Sequence, residues 1–197
     1  MAAGLVNTSH PRVPGVREIT RTRADARRRP LRNRLALITP DAEQAIVHAG
    51  GWIFDQALAG WEVTVHVVED CDVRPLEILG AHPLDLGTSV KSYSADGPWP
   101  QALAVCSSLF EADDFVHAGV LDTLDSVRAD LRVWGPTRPL ELADRCSAVA
   151  YELSFAARAF KRRAFAAAGL APETMTTTET FLIAGPMASG GDLSTAV

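Results

Sequence analysis

The chain lacks most of the signals that assign a protein of 197 residues to a class. It holds only three cysteines, Cys71, Cys106 and Cys146, far apart and with no Cys-x-x-Cys. So sparse and odd a set argues against a disulfide framework and fits reduced thiols in the cytoplasm. No apolar run approaches the roughly 20 residues needed to span a bilayer, which excludes a membrane-embedded reading. Behind Arg27–Arg34 only Leu35–Ile38 are apolar, too short for the roughly 7–15-residue core of an export signal. Gly-x-Gly-x-x-Gly and Gly-x-x-x-x-Gly-Lys-Ser/Thr are both absent, so a classical dinucleotide site and a P-loop are not expected. No Gly-x-Ser-x-Gly elbow is present to aim a serine nucleophile.

What is present is charge asymmetry and periodicity. The formal charge of −5 hides nine arginines against Glu18 and Asp25 within residues 1–34. Residues 1–31 read as a flexible Arg-rich arm, with Pro11, Pro14, Gly15 and Pro30 and no aromatic side chain. Phosphate contacts are conceivable for such an arm. Without aromatics for base stacking, and with a strongly acidic body behind the arm, a nucleic-acid partner is not expected. Residues 32–184 read as a single α/β domain, and 185–197 as a loose Gly- and Ser-containing tail.

Within the domain, Leu35–Thr39 is short and apolar, as expected of a buried strand. Thr39-Pro40-Asp41 offers a cap, an N1 proline and a first-turn acid to a following helix. Gly50-Gly51 inside that helix implies a break or a close approach to the sheet. Trp61–Glu69 alternates as a second strand, and Arg74–Gly80 reads as a short helix. His82–Pro100 reads as a long loop. The plan then recurs, with strand Ala102–Cys106, helix Phe110–Arg128 and strand Asp130–Trp134. The tetrapeptide Val-His-Ala-Gly sits at the same place in both halves, at Val47–Gly50 and Val116–Gly119. Leu140–Ala168 reads as one long Ala-rich helix, on which Lys161-Arg162-Arg163 forms an exposed face, and Glu179–Ala184 as a last strand. Alternating strands and helices predict a Rossmann-like three-layer α/β sandwich. Its expected sheet is mostly parallel, of four or five strands, built from two similar βαβ units.

Ligands of such sheets bind beyond the carboxyl ends of the strands. That rule selects Thr39 and Asp41, Glu69 and Asp70, Ser107 and Ser108, and Thr137 and Arg138 as ligand-binding candidates. No spaced ligand set accompanies the acids, so no metal is expected. His48 and His117 read as packing residues at the seam between helix and sheet. The functional expectation is therefore a small ligand, possibly a nucleotide or phosphorylated compound, bound at the strand ends. The alternative is a non-catalytic interaction or regulatory protein that uses the arm and the Leu140–Ala168 helix, the latter as a homodimer contact. Whether the chain is an enzyme stays open at this point, as does any cofactor.

Overall fold

A computed structural model describes residues 33–87, 99–126 and 129–184. The arm at 1–31 and the tail at 185–197 fall outside these residues. The strands are β1 (Arg34–Thr39), β2 (Glu62–Val67), β3 (His82–Asp85), β4 (Ala102–Cys106), β5 (Asp130–Trp134), β6 (Cys146–Glu152) and β7 (Thr178–Ala184). The helices are α1 (Ala42–Leu58), α2 (Arg74–Ile78), α3 (Ser107–Ala112), α4 (Asp114–Ser126) and α5 (Phe155–Ala167). One seven-stranded sheet has the order β3-β2-β1-β4-β5-β7-β6. β3 through β5 in that order are parallel neighbours. β7 runs antiparallel to both β5 and β6, which makes the sheet mixed.

Three layers form because each face of the sheet needs cover. On one face Leu35, Leu37, Val63 and Val65 pack with Ala45, Ile46, Ala49 and Ile53 of α1 and with Ala164 and Phe165 of α5. On the other, Val105, Leu131 and Val133 meet Leu109, Phe110, Val116 and Val120 of α3 and α4. The central strands are covered on both faces and read as apolar runs, as parallel strands do.

The α/β class and the layers agree with the sequence, but a mostly parallel sheet of four or five strands does not. Among the described residues seven strands form, and three of them needed correction. β3 lies inside the expected loop; His82-Pro83 hid it, because proline is tolerated only where a strand has an edge to spare. β6 lies inside the expected Leu140–Ala168 helix, where alanine suggested helix although packing decided for strand. What remains of that element is a 3₁₀ turn at Leu140–Leu142, then β6, then α5. β7 begins at Thr178, near its expected start, but its direction was not legible. At the first helix the cap is Asp41, whose carboxylate accepts from Gln44 N at 2.7 Å. Thr39 stays extended because it precedes proline.

Gly50-Gly51 does not break α1, which runs on through Ala42–Leu58. A Cβ at Gly51 would run into the methyls of buried Leu153, so this glycine is needed for close approach. Beside it lies a feature that the sequence concealed. Lys161 and Glu179 are both fully buried and pair at 2.6 Å. Lys161 Nζ also donates to Val47 O at 2.8 Å. Glu179 accepts from Gly51 N at 2.8 Å and Trp52 N at 2.9 Å. The pair thus ties α5 and β7 to the Val47–Gly51 rung of α1. The exposed face expected for Lys161-Arg162-Arg163 is corrected at Lys161: helical geometry turns it inward while Arg162 and Arg163 remain outside.

Candidate active site at the strand ends

The parallel strands deliver their C-terminal ends to one edge, and that edge gathers most of the expected site residues. β1 and β4 are neighbours whose connections leave in opposite directions, the switch point where a crevice forms in such sheets. Thr39 is buried there and donates from Oγ1 to Asp41 O at 2.8 Å. Asp41 is half-buried at the N-terminus of α1. The end of β2 folds against this turn, with Glu69 N donating to Pro40 O at 2.8 Å. The Glu69 and Asp70 side chains are exposed beside it.

At the ends of β4 and β5 a hydroxyl network closes. Ser107 Oγ is buried and accepts from Thr137 Oγ1 at 2.9 Å and Thr137 N at 3.2 Å. Thr137 Oγ1 also lies 2.9 Å from Glu111 Oε2. Gly135, at φ +129°, makes this approach feasible. A Cβ there would lie 2.7 Å from Ser107 Oγ and 3.2 Å from Ser107 N. Ser108 Oγ stands 3.1 Å from Cys106 Sγ, and Arg138 is exposed. Thr39 and Asp41 are thus joined to each other, and Ser107 to Thr137, whereas Asp70 and Arg138 stand apart. A buried, doubly engaged Ser107 hydroxyl holds the loops together; it is not a presented nucleophile.

The two Val-His-Ala-Gly copies have different surroundings. His48 is half-buried, with its ring 6.4 Å from that of Trp134. Burial, reinforced by the Lys161 charge, holds its pKa below the usual value and so keeps it neutral near pH 7. His117 pairs with Glu141 at 2.8 Å at the surface. Sequence reasoning missed the packing of His48 beside Trp134, the last residue of β5. The signal was available in the stripe Gln44-His48-Trp52, one residue per helical turn: His48 meets Trp134 of β5, and one turn on Trp52 contacts Arg132 of β5 and Phe181 of β7.

No family model matches this chain, and no curated protein matches it in sequence. Solved structures do match in fold. The A40926 pseudoaglycone deacetylase is 16% identical, with a TM-score of 0.56 over 81% of this chain and 100% of that one. A deacetylase–teicoplanin complex from the teicoplanin biosynthesis pathway is 12% identical, with a TM-score of 0.58 over 77% of this chain and 97% of that one. A zinc-inhibited form of teicoplanin deacetylase is 11% identical, with a TM-score of 0.54 over 80% and 100%. These likenesses show a fold shared with those deacetylases. This deacetylase-like fold corrects the expectation of an uncharacterised ligand binder or interaction protein.

Zinc does not fit the residues present here. Among the described residues no group of three His, Cys, Asp or Glu could hold a metal ion. Around the end of β1 the side chains are a committed Thr39 hydroxyl, the single carboxylate of Asp41 and the methyl of Ala42. Zinc is bound by Cys, His and carboxylate donors, at least three of them from the protein. Nor is any helix among the described residues long and apolar enough to cross a membrane.

Proposed function

We propose that the protein is a hydrolase of the deacetylase type, acting on a polar acylated substrate in the crevice between the ends of β1, β4 and β5. The observation that carries this reading is a fold likeness spanning nearly the whole length of solved deacetylases. In this reading Asp41, Glu69, Asp70, Ser108, Thr137 and Arg138 form the polar rim, and buried Thr39 and Ser107 hold its loops from beneath. Asp41 is the carboxylate nearest the switch point, with Oδ1 occupied by Gln44 N. We assign it the proton from the attacking water. The water oxygen bonds to the acyl carbon, the bond from that carbon to the leaving amine or alkoxide breaks, and the proton passes to the leaving group. The products are a carboxylic acid and a free amine or alcohol. The three free thiols fit a reducing compartment, so we place the protein in the cytoplasm.

The test is acetate release from N-acetylglucosamine and from teicoplanin, by wild type and by Asp41→Asn. Asparagine caps a helix about as well as aspartate, so the variant keeps the fold and loses the base. Loss of general-base catalysis lowers turnover by about 10²–10⁴-fold. Absence of acetate above background with both compounds, or equal rates for both proteins, overturns the reading.

A further inference from the structure

The sheet has two edges, and they differ in a way that points to a partner. β3, at one end, is four residues long and contains Pro83 and Asp85. Short length, proline and charge are the devices by which natural sheets avoid pairing edge to edge. β6, at the other end, is longer, has no proline and carries charge only at its last residue. It runs for seven residues, Cys146-Ser147-Ala148-Val149-Ala150-Tyr151-Glu152. Ala148, Val149 and Ala150 are exposed, so no described helix covers either face of its middle.

Both ends of β6 are pinned. Arg145 donates to Asp125 at 2.6 Å just ahead of it. At its far end Tyr151 Oη donates to Asp55 at 3.0 Å, and Ser154 Oγ to the same carboxylate at 2.6 Å. Both ends of this strand, which has no further neighbour among the described residues, are therefore fixed, which lowers the entropy lost on pairing. The two most exposed large apolar side chains of the described residues flank this strand in the chain. Leu140 is 90% exposed ahead of it and Phe155 is 89% exposed just beyond it.

We propose that the β6 edge is a homodimer interface, in which two copies pair antiparallel about a two-fold axis at Val149 and join their sheets. A two-fold axis normal to the sheet must pass between a residue and its own copy. Centring it on Val149 sets Ala148 against Ala150, Ser147 against Tyr151 and Cys146 against Glu152. No like charges face each other in this register, whereas centring on Ala148 would set Asp144 against Glu152. Parallel pairing would place Glu152 beside Glu152; the antiparallel arrangement puts it at the Arg145 end of the other copy. Seven paired residues alone bury less than the roughly 1,200 Å² of a stable interface. Leu140 of one copy, brought toward Phe155 of the other, supplies apolar area beyond the strand. The occupant is a second copy because the edge is self-complementary, as an isologous contact requires.

The test is sedimentation of the full chain over a concentration series, with Val149→Lys, Val149→Glu and their equimolar mixture. Residue 149 faces itself only in the proposed register. Each variant alone then places like charges directly opposite and raises the dimer dissociation constant severalfold, while the mixture restores association through an opposite-charge pair. Far-ultraviolet circular dichroism establishes that the singly charged variants are folded. A wild type that is monomeric at every concentration overturns the proposal. So do variants that dimerise like wild type, or a mixture that associates no better than its components.

Discussion

Replacing Lys161 by methionine tests the internal architecture most directly. The substitution keeps the length and apolar stem of the side chain and removes only its charge. Glu179 then remains in a fully buried site with Gly51 N and Trp52 N as donors but without its cation, and Val47 O loses the 2.8 Å donor supplied by Nζ. Breaking a buried pair by removing one partner costs about 3–5 kcal/mol. For a domain of this size each kcal/mol lowers Tm by about 2–4 °C, so the expected drop is about 6–20 °C. That is a large share of the 5–15 kcal/mol by which domains are usually stable. Burial pushes the Glu179 carboxyl upward, while Lys161 and the two N–H groups pull it down. With Lys161 gone the upward push prevails further. An acid whose folded pKa lies above its unfolded value of about 4.3 stabilises the fold at low pH and loses that contribution as pH rises. The deficit of Lys161→Met relative to wild type is therefore largest at pH 8 and shrinks toward pH 5. Urea unfolding at several pH values measures this, and a cycle with Glu179→Gln isolates the coupling. A deficit under about 1 kcal/mol, or one that does not vary with pH, would refute the reasoning.

Two further substitutions separate adjacent glycines. Gly51→Ala forces a methyl against buried Leu153 and costs about 1–3 kcal/mol by overpacking, offset by roughly 1 kcal/mol of helix propensity. Gly50→Ala meets Leu79 at 3.3 Å and should be near neutral; thermal melts that reverse this order contradict the packing described. His48 supplies the pH test with the opposite sign. Its folded pKa is lowered by burial and by Lys161, so its contribution is intact above about pH 6.5 and is lost as pH falls. An NMR titration should place its midpoint below 6.5, and a midpoint at or above that value would count against its burial beside Trp134.

Much of the parallel half of the sheet was legible because local and tertiary preferences agree there. Leu35–Thr39 and Ala102–Cys106 are apolar runs bounded by turn residues, as central strands covered on both faces read, while Trp61–Glu69 and Asp130–Trp134 alternate as strands do. The same strand direction delivers Thr39, Asp41, Ser107 and Thr137 to one edge of the sheet. The functional class was not legible. The deacetylase reading is a proposal from a fold likeness at 11–16% identity that individual residues do not carry.

Only the tertiary structure decided the rest. Cys146–Glu152 is rich in alanine and serine, and it is a strand because β7 lies alongside to pair with it. Lys161 sits in an Arg- and Lys-containing run on an amphipathic helix, and its burial depends on Glu179, 18 residues on in the chain. The sequence by itself determined the layers and the parallel strands whose loops share one end of the sheet, because apolar periodicity and strand direction are properties of short segments. Long-range pairing determined the antiparallel end of the sheet, the buried ion pair and the open β6 edge, because a polar or small residue takes its meaning from whatever the fold brings opposite it.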